Sequence, residues 1–146
     1  MLYYDWQFAE RIQCSIEEKK ECFELIVQLR RYASIIRQSG FLALEEELAK
    51  IDDSFLAISI QMGIDGVQPD LFREIQERRI LADNSKGKEL LRRVIITEAM
   101  ASILSEDSYQ VFHYKLLSYL GEHGQLWAKE RSLDLIGKIP DAVHSA

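Results

Sequence analysis

The spacing of apolar residues is the feature that most restricts what this chain can fold into. Between about residues 5 and 38, apolar side chains recur at steps of three and four residues, as at Cys22, Leu25, Leu29, Ala33 and Ile36. This spacing places them on one face of an α-helix, whereas a half-buried strand would alternate apolar and polar residues. We find no alternating segment and no internal repeat. The pattern predicts an all-α fold that begins with one long N-terminal helix.

Turn and capping residues divide the rest of the chain into further helices. The expected boundaries are a stop at Gly40, an N-cap cluster at 52–54, a turn at 65–66 with Pro69 at the next helix start, a linker at 83–88, a second cap cluster at 105–108 and a stop at Gly121. A weaker last helix fades before Pro140. The chain is expected to be a single domain over residues 1–146, a compact bundle of six or seven helices. The helices flanking the 83–88 linker should be adjacent and antiparallel.

The charge and hydropathy of the chain argue against nucleic-acid binding and against a membrane span. Its net charge is −6 over 146 residues, and the paired arginines sit beside acidic residues, so no basic face is available for nucleic acid. The longest uncharged stretch, Ser54–Ile64, has 11 residues, against the roughly 20 that a membrane helix needs. We therefore expect no membrane span, no nucleic-acid binding and a cytoplasmic location, with Cys14 and Cys22 as reduced thiols.

Residues that could support catalysis are not grouped in any familiar motif. His113, His123 and His144 lack the spacing of a metal site, and the sequence has no P-loop, no G-x-G-x-x-G and no G-x-S-x-G. Glu98 lies within an apolar helix and is expected to be half-buried and paired with an arginine. The chain is therefore predicted not to be an enzyme and to bind no metal or cofactor.

Residues 33–80 carry an ordered set of short motifs. They contain Arg37, Gly40, the run LALE at 42–45, an acidic pair at 52–53 before a phenylalanine, and the turn DGVQP at 65–69. In this order and spacing they resemble the cytoplasmic loop of the MotA flagellar stator family, within the MotA/TolQ/ExbB proton-channel superfamily. Ser54 departs from the family pattern, which often has proline there.

A second segment, residues 94–120, resembles the cytoplasmic tail of the same family. Its sequence begins VIITEAMASI and ends KLLSYL, with Ala99 where the family often has glycine. In the family the two segments flank a pair of transmembrane helices, which the 83–88 linker replaces here. A membrane hairpin returns the chain close to where it left, so a short loop closes the same gap at small entropic cost. Residues 1–20 and 121–146 have no counterpart.

The resemblance implies a module that binds protein partners at the rotor–stator interface of the flagellar motor. Arg37 and Glu45 align with the charged family positions that contact the rotor switch protein, and Glu46 extends the acidic run. From the residues alone, other interpretations stay open. Arg37 could pair internally with Glu45 or Glu98, and the acidic run could serve only the helix dipole. Torque generation is not expected, because it needs the membrane helices.

The alternative function is that of a self-assembling structural or regulatory helical protein without motor contact. It is suggested by an aromatic cluster at Tyr3, Tyr4, Trp6 and Phe8. These side chains could form a homo-oligomer contact, anchor at a bilayer interface, or pack against the C-terminal part of the same chain. The sequence fits equally a natural soluble relative and an engineered joining of cytoplasmic segments.

Overall fold

A computed structural model describes residues 5–135, and every regular element within that range is helical. The α-helices are α1 (Trp6–Arg11), α2 (Ile16–Ser39), α3 (Glu45–Leu48), α4 (Ser54–Ile64), α5 (Pro69–Asp83), α6 (Gly87–Leu104), α7 (Tyr109–Leu117) and α8 (Gly121–Leu135). Two 3₁₀-helices, Phe41–Leu44 and Ser118–Leu120, precede α3 and α8. Because α3 is a single turn and seven helices are longer, the all-α prediction of six or seven helices is confirmed.

The long N-terminal helix is present, but its predicted start at about Asp5 was wrong. Asp5 caps only the short α1, and the chain leaves the helical path before Ser15. Ser15 accepts a hydrogen bond from the backbone N–H of Glu18, whose carboxylate accepts one from the N–H of Ser15. This reciprocal capping box satisfies two N–H groups that a fresh helix start would otherwise leave unpaired. The helix therefore begins again at Ile16.

Most of the other predicted boundaries are confirmed. Gly40 ends α2 with a φ of 81°, a backbone angle that costs glycine little. The Asp53 side chain caps α4 and Pro69 opens α5. The linker is shorter than the predicted 83–88, since α5 continues to Asp83 and α6 begins at Gly87. Between Gly40 and the cap at Asp53, the apolar spacing of Phe41, Leu44, Leu48 and Ile51 predicts a short amphipathic helix. The structure has instead a 3₁₀ turn followed by the single turn of α3.

Helices α5 and α6 lie side by side and run antiparallel, as the short linker predicts. Asp83 at the end of α5 accepts a hydrogen bond at 2.5 Å from Arg93 near the start of α6. Arg73 near the start of α5 donates at 2.6 Å to Glu98 farther along α6. Glu98 is paired with an arginine, as expected from the sequence, but it is buried and not half-buried.

Helix α6 lies at the centre of the fold. It contacts α2, α4, α5 and α7, and it buries an unbroken run from Val94 to Ser102. A helix that is buried on all sides needs small and apolar residues around most of its circumference, and this run has them apart from Glu98, which is paired with Arg73. No helix between residues 5 and 135 is long and apolar enough to cross a membrane.

The α4–α5 and α6–α7 pairs are joined by turns of the same geometry, although the sequence shows no repeat. The N–H of Val67 donates to the carbonyl of Met62 at 3.1 Å, and the N–H of Asp107 donates to that of Ser102 at 3.1 Å. Gly66 and Glu106 occupy the equivalent position of positive φ. The segments that follow the two turns bury residues at equivalent positions. Phe72 and Phe112 are buried near the start of α5 and α7, and Ile80 of α5 corresponds to Leu120 of the 3₁₀-helix after α7.

Candidate partner-binding site

A cleft of about 560 Å³ opens between the second half of α2 and the α6–α7 turn. Apolar side chains from both sides form much of its wall, including Ile36, Ile103 and Phe112. Phe41, from the 3₁₀ turn after α2, closes one end and packs directly on Gly63 of α4, where a Cβ would collide with its ring. The missing side chain at Gly63 thus allows Phe41 to take this position.

Arg37 lies in the last turns of α2, is exposed, and lines this cleft. Its guanidinium donates to the backbone carbonyl of Asp107 at 2.7 Å. The sequence left open an internal pair with Glu45 or Glu98, but Glu98 is paired with Arg73 and no ion pair of Arg37 is seen within residues 5–135. Arg37 is therefore held in place by a neutral group, and no carboxylate of residues 5–135 forms an ion pair with it.

Glu45 and Glu46 are exposed on the single turn of α3. Glu47, the third residue of the acidic run, accepts a hydrogen bond from Arg31 of α2 at 3.2 Å, which ties α3 to α2. In the described part of the chain, Glu45 and Glu46 form no ion pair. The structure thus separates the acidic run into one structural residue and two that face solvent, on the other side of the Gly40 turn from Arg37.

Arg30, one of the paired arginines, is buried next to the same cleft. Only 3% of its surface is exposed, and its guanidinium contacts Nδ1 of His113 on α7. Its Cζ also lies 5.9 Å from the centroid of the Tyr109 ring. Burial lowers the pKa of Arg30. The sequence does contain an indication that Arg30 is buried, because helical spacing places position 30 on the same face as Ile26 and Ala33.

His113 has a strongly shifted pKa. Burial and, as the smaller cause, the charge of Arg30 together lower the pKa of its imidazole to about 4. The ring is therefore neutral near pH 7 and can accept a hydrogen bond from Arg30. The sequence placed His113 in an amphipathic helix without a role, because nothing local shows that α7 packs its side chain towards α2.

Asp107 anchors the turn that forms the far wall of the cleft. Its carboxylate accepts hydrogen bonds from Lys115 at 2.5 Å and from the Ser102 hydroxyl at 2.6 Å. Burial alone would raise the pKa of Asp107, but these hydrogen bonds hold it below its usual value. Asp107 is thus committed to the turn, and its backbone carbonyl is left to receive Arg37.

The remaining candidate residues lie apart from the cleft. Burial raises the pKa of Cys22 to about 11, which keeps the thiol protonated, and no group of metal-binding side chains occurs within residues 5–135. In the predicted aromatic cluster, Trp6 is exposed and Phe8 packs against the core. Tyr3 and Tyr4, and His144, lie outside the described residues.

The comparison with known proteins agrees with the resemblance seen in the sequence. The chain is 33% identical over 75 residues to a protein named Motility protein A of Bacillus subtilis (strain 168). The match covers 51% of this chain and 26% of that protein, so the chain spans about a quarter of its relative. No protein-family model and no solved structure matches the chain. A MotA-like relationship over about half of the chain is therefore supported.

Proposed function

We propose that this chain is a MotA-like module that binds a protein partner through the charges on either side of the Gly40 turn. Arg37 on α2 and Glu45 and Glu46 on α3 form what we call the docking surface. The partner proposed is the rotor switch protein of the flagellar motor, at the rotor–stator interface. The role is one of binding and not of catalysis, in a cytoplasmic setting.

The observation that carries this proposal is the state of the charges on the docking surface. Across the described residues, five arginines form ion pairs with carboxylates, such as Arg73 with Glu98 and Arg93 with Asp83. Arg37 is instead fixed on a backbone carbonyl, which orients the side chain without neutralising it. A fixed and uncompensated charge at the surface favours recognition of an opposite charge on a partner, because less side-chain entropy is lost on binding.

The two sides of the docking surface carry opposite signs. A partner that presents both an acidic and a basic side chain would satisfy Arg37 and the Glu45–Glu46 pair together. Exposed Leu42 lies between them in the chain and adds an apolar contact to this surface. Likeness to Motility protein A supports a motility-related partner. The mixed charges favour specificity and association rate over raw affinity.

The test is titration calorimetry with the C-terminal domain of a rotor switch protein at low and at physiological salt. We expect weak binding by the unmodified chain that falls as the salt concentration rises, because exposed charges are screened. Arg37→Glu should remove most of the binding. Arg37→Gln separates charge from position, because the amide can still donate to the Asp107 carbonyl. It should weaken binding less than Arg37→Glu does.

Arg78→Glu is the matched control. Arg78 is an exposed arginine of α5 whose ion pair is with Glu74 in the preceding turn. Charge reversal at either arginine should change stability by under about 0.5 kcal/mol, so the melting curves of the variants should coincide. If Arg78→Glu weakens binding as much as Arg37→Glu, the effect is one of net charge and the docking surface is wrong. Absence of binding by the unmodified chain would favour the self-assembly alternative instead.

A further inference from the structure

The buried guanidinium of Arg30 lacks what a buried charge ordinarily has. Desolvating an arginine is costly unless a carboxylate or several hydrogen-bond acceptors compensate for it. Arg30 is 97% covered, yet its contacts are a neutral imidazole and the face of Tyr109. Among the described residues it forms no ion pair, and its Nε has no hydrogen-bond partner. An unsatisfied buried donor of this kind requires an explanation.

Arg30 is also one of the residues that line the 560 Å³ cleft. Its side chain lies at the α2 wall, and Arg37 lies two turns farther along the same helix at the same cleft. The remaining wall is largely apolar, with Ile36, Phe41 and Phe112 as its larger side chains. A volume of this size holds a small organic molecule.

We propose that this cleft binds a small monoanionic carboxylate with an apolar body, whose carboxylate meets Arg30 and Arg37 and whose body packs against Ile36, Phe41 and Phe112. The planar guanidinium fork matches a carboxylate in geometry and charge, and a hydrogen bond to a charged group is about twice as strong as a neutral one. The ligand's carboxylate would supply the negative charge that the Arg30 guanidinium lacks among the described residues. The apolar walls would supply the rest of the binding free energy.

The acidic residues at the rim favour a monoanion over a dianion such as phosphate. Glu106 and Asp107 both line the cleft. The carboxylate of Asp107 is occupied by Lys115 and Ser102, but that of Glu106 is exposed at the rim and would repel a second negative charge. A dianion would also be harder to desolvate against the apolar wall.

The site does not depend on the docking surface, although Arg37 belongs to both. Arg30 is buried and cannot contact a protein partner directly. The two proposals are therefore separable by variants. Arg30→Met should remove carboxylate binding and leave binding of the rotor switch protein unchanged, whereas Glu45→Gln with Glu46→Gln should do the reverse.

The test uses phenylacetate as the probe, and its neutral isostere phenylacetamide and inorganic phosphate as comparisons. Binding of each to the full chain is monitored by two-dimensional NMR. Phenylacetate should bind in the millimolar range, as expected for a ligand of about ten heavy atoms. Shifts should be confined to the cleft, at residues such as Ile36, Ile103 and Phe112. Phenylacetamide and phosphate should each bind at least about tenfold more weakly.

Variants then assign the binding to Arg30. Arg30→Met should abolish phenylacetate binding, Arg30→Lys should weaken it by removing the fork while keeping the charge, and Arg37→Gln should weaken it in part. Arg78→Gln, far from the cleft in an exposed ion pair, is the matched control and should bind as the unmodified chain does. The spectra of the unmodified chain locate the site even if one variant folds poorly.

Three results would overturn the proposal. Equal binding of phenylacetamide would show that the cleft recognises only the apolar body. Equal or tighter binding of phosphate would show a general anion site. Absence of shifts at the cleft with the unmodified chain, or full phenylacetate affinity in a folded Arg30→Met variant, would show that Arg30 has no role in anion binding.

Discussion

The turn between α4 and α5 and the turn between α6 and α7 have the same backbone conformation but different side-chain chemistry. In both, an N–H donates back across the turn to a carbonyl five residues earlier, at 3.1 Å in each case. In both, the following helix begins with an N–H to carbonyl hydrogen bond that fixes a buried phenylalanine, Phe72 or Phe112. The backbone hydrogen bonds of a helix end can thus be met by quite different sequences.

The difference lies in strain and charge. The first turn uses Gly66 at its position of positive φ, and the second uses Glu106 at a φ of 58°. Arg73 and His113 are equivalent, because each directly follows the buried phenylalanine. Arg73 is neutralised by Glu98, whereas His113 contacts Arg30, which has no ion pair among the described residues. The strained residue and the unpaired charge both occur at the turn that borders the cleft. Strained backbone and unpaired buried charge are each costly, and their occurrence beside the cleft supports the proposals made for it.

The largest expected effects test whether the two helix pairs are energetically equivalent. Phe72→Ala and Phe112→Ala should each lower the free energy of unfolding by about 3–4 kcal/mol, because both rings are fully buried. Urea denaturation measures this. The exposed equivalents Leu71→Ala and Val111→Ala are the controls and should each cost under about 1 kcal/mol. A much smaller loss for Phe112→Ala would mean that the cleft already weakens the packing of the second pair.

The next effect contrasts Arg73, which is half-buried and paired with Glu98, with the buried Arg30. Arg73→Met should lower the free energy of unfolding by about 2–3 kcal/mol, because it leaves Glu98 buried without a partner. Arg30→Met should leave stability unchanged or raise it, because it removes a buried charge that has no carboxylate partner. Adding Glu98→Leu to Arg73→Met should restore most of the loss, as a double-mutant cycle would show. A large loss for Arg30→Met would contradict the view that its charge is uncompensated.

His113 gives the second helix pair a pH dependence. Its pKa is lowered from 6.5 to about 4 in the folded chain, so the unfolded chain binds the proton more readily. Stability should be unaffected by this group above pH 6.5 and should fall as the pH drops from about 6.5 towards 4. Since the ring is partly exposed, we expect a loss of about 2 kcal/mol. Urea denaturation of His113→Gln over the same range should lack this component, and an unchanged pH profile would contradict the assignment.

The smallest effects test the position of positive φ. Glu106→Gly should raise the free energy of unfolding by about 0.5–1 kcal/mol, because glycine adopts this angle without the cost that a side chain imposes. Gly66→Ala should lower it by about 1 kcal/mol for the same reason. Thermal melts of the two variants measure both. A loss of stability on Glu106→Gly would indicate that the Glu106 side chain makes a contribution larger than the strain.

Local chemistry made much of the fold predictable. Gly40, Asp53 and Pro69 mark helix ends because each acts through its own backbone angle or a hydrogen bond within three residues. The break before α2 could also have been predicted, since Ser15 and Glu18 have the spacing of a capping box. The apolar periodicity over residues 5–38 gave no indication of this break. The charged positions Arg37, Glu45 and Glu46 came from a family resemblance, which indicates a role without showing what each side chain contacts.

The sequence by itself determined the helices, because hydrogen bonds and caps that define a helix join residues a few positions apart. Only the tertiary structure decided the cleft and its charges. Arg37 meets the carbonyl of Asp107, and Arg30 meets His113, across separations of 70 and 83 residues. Periodicity shows which face of α2 is apolar, but it does not show that α7 crosses that face at Arg30. Whether an arginine is a solvated surface charge or a buried and unpaired one depends on that packing.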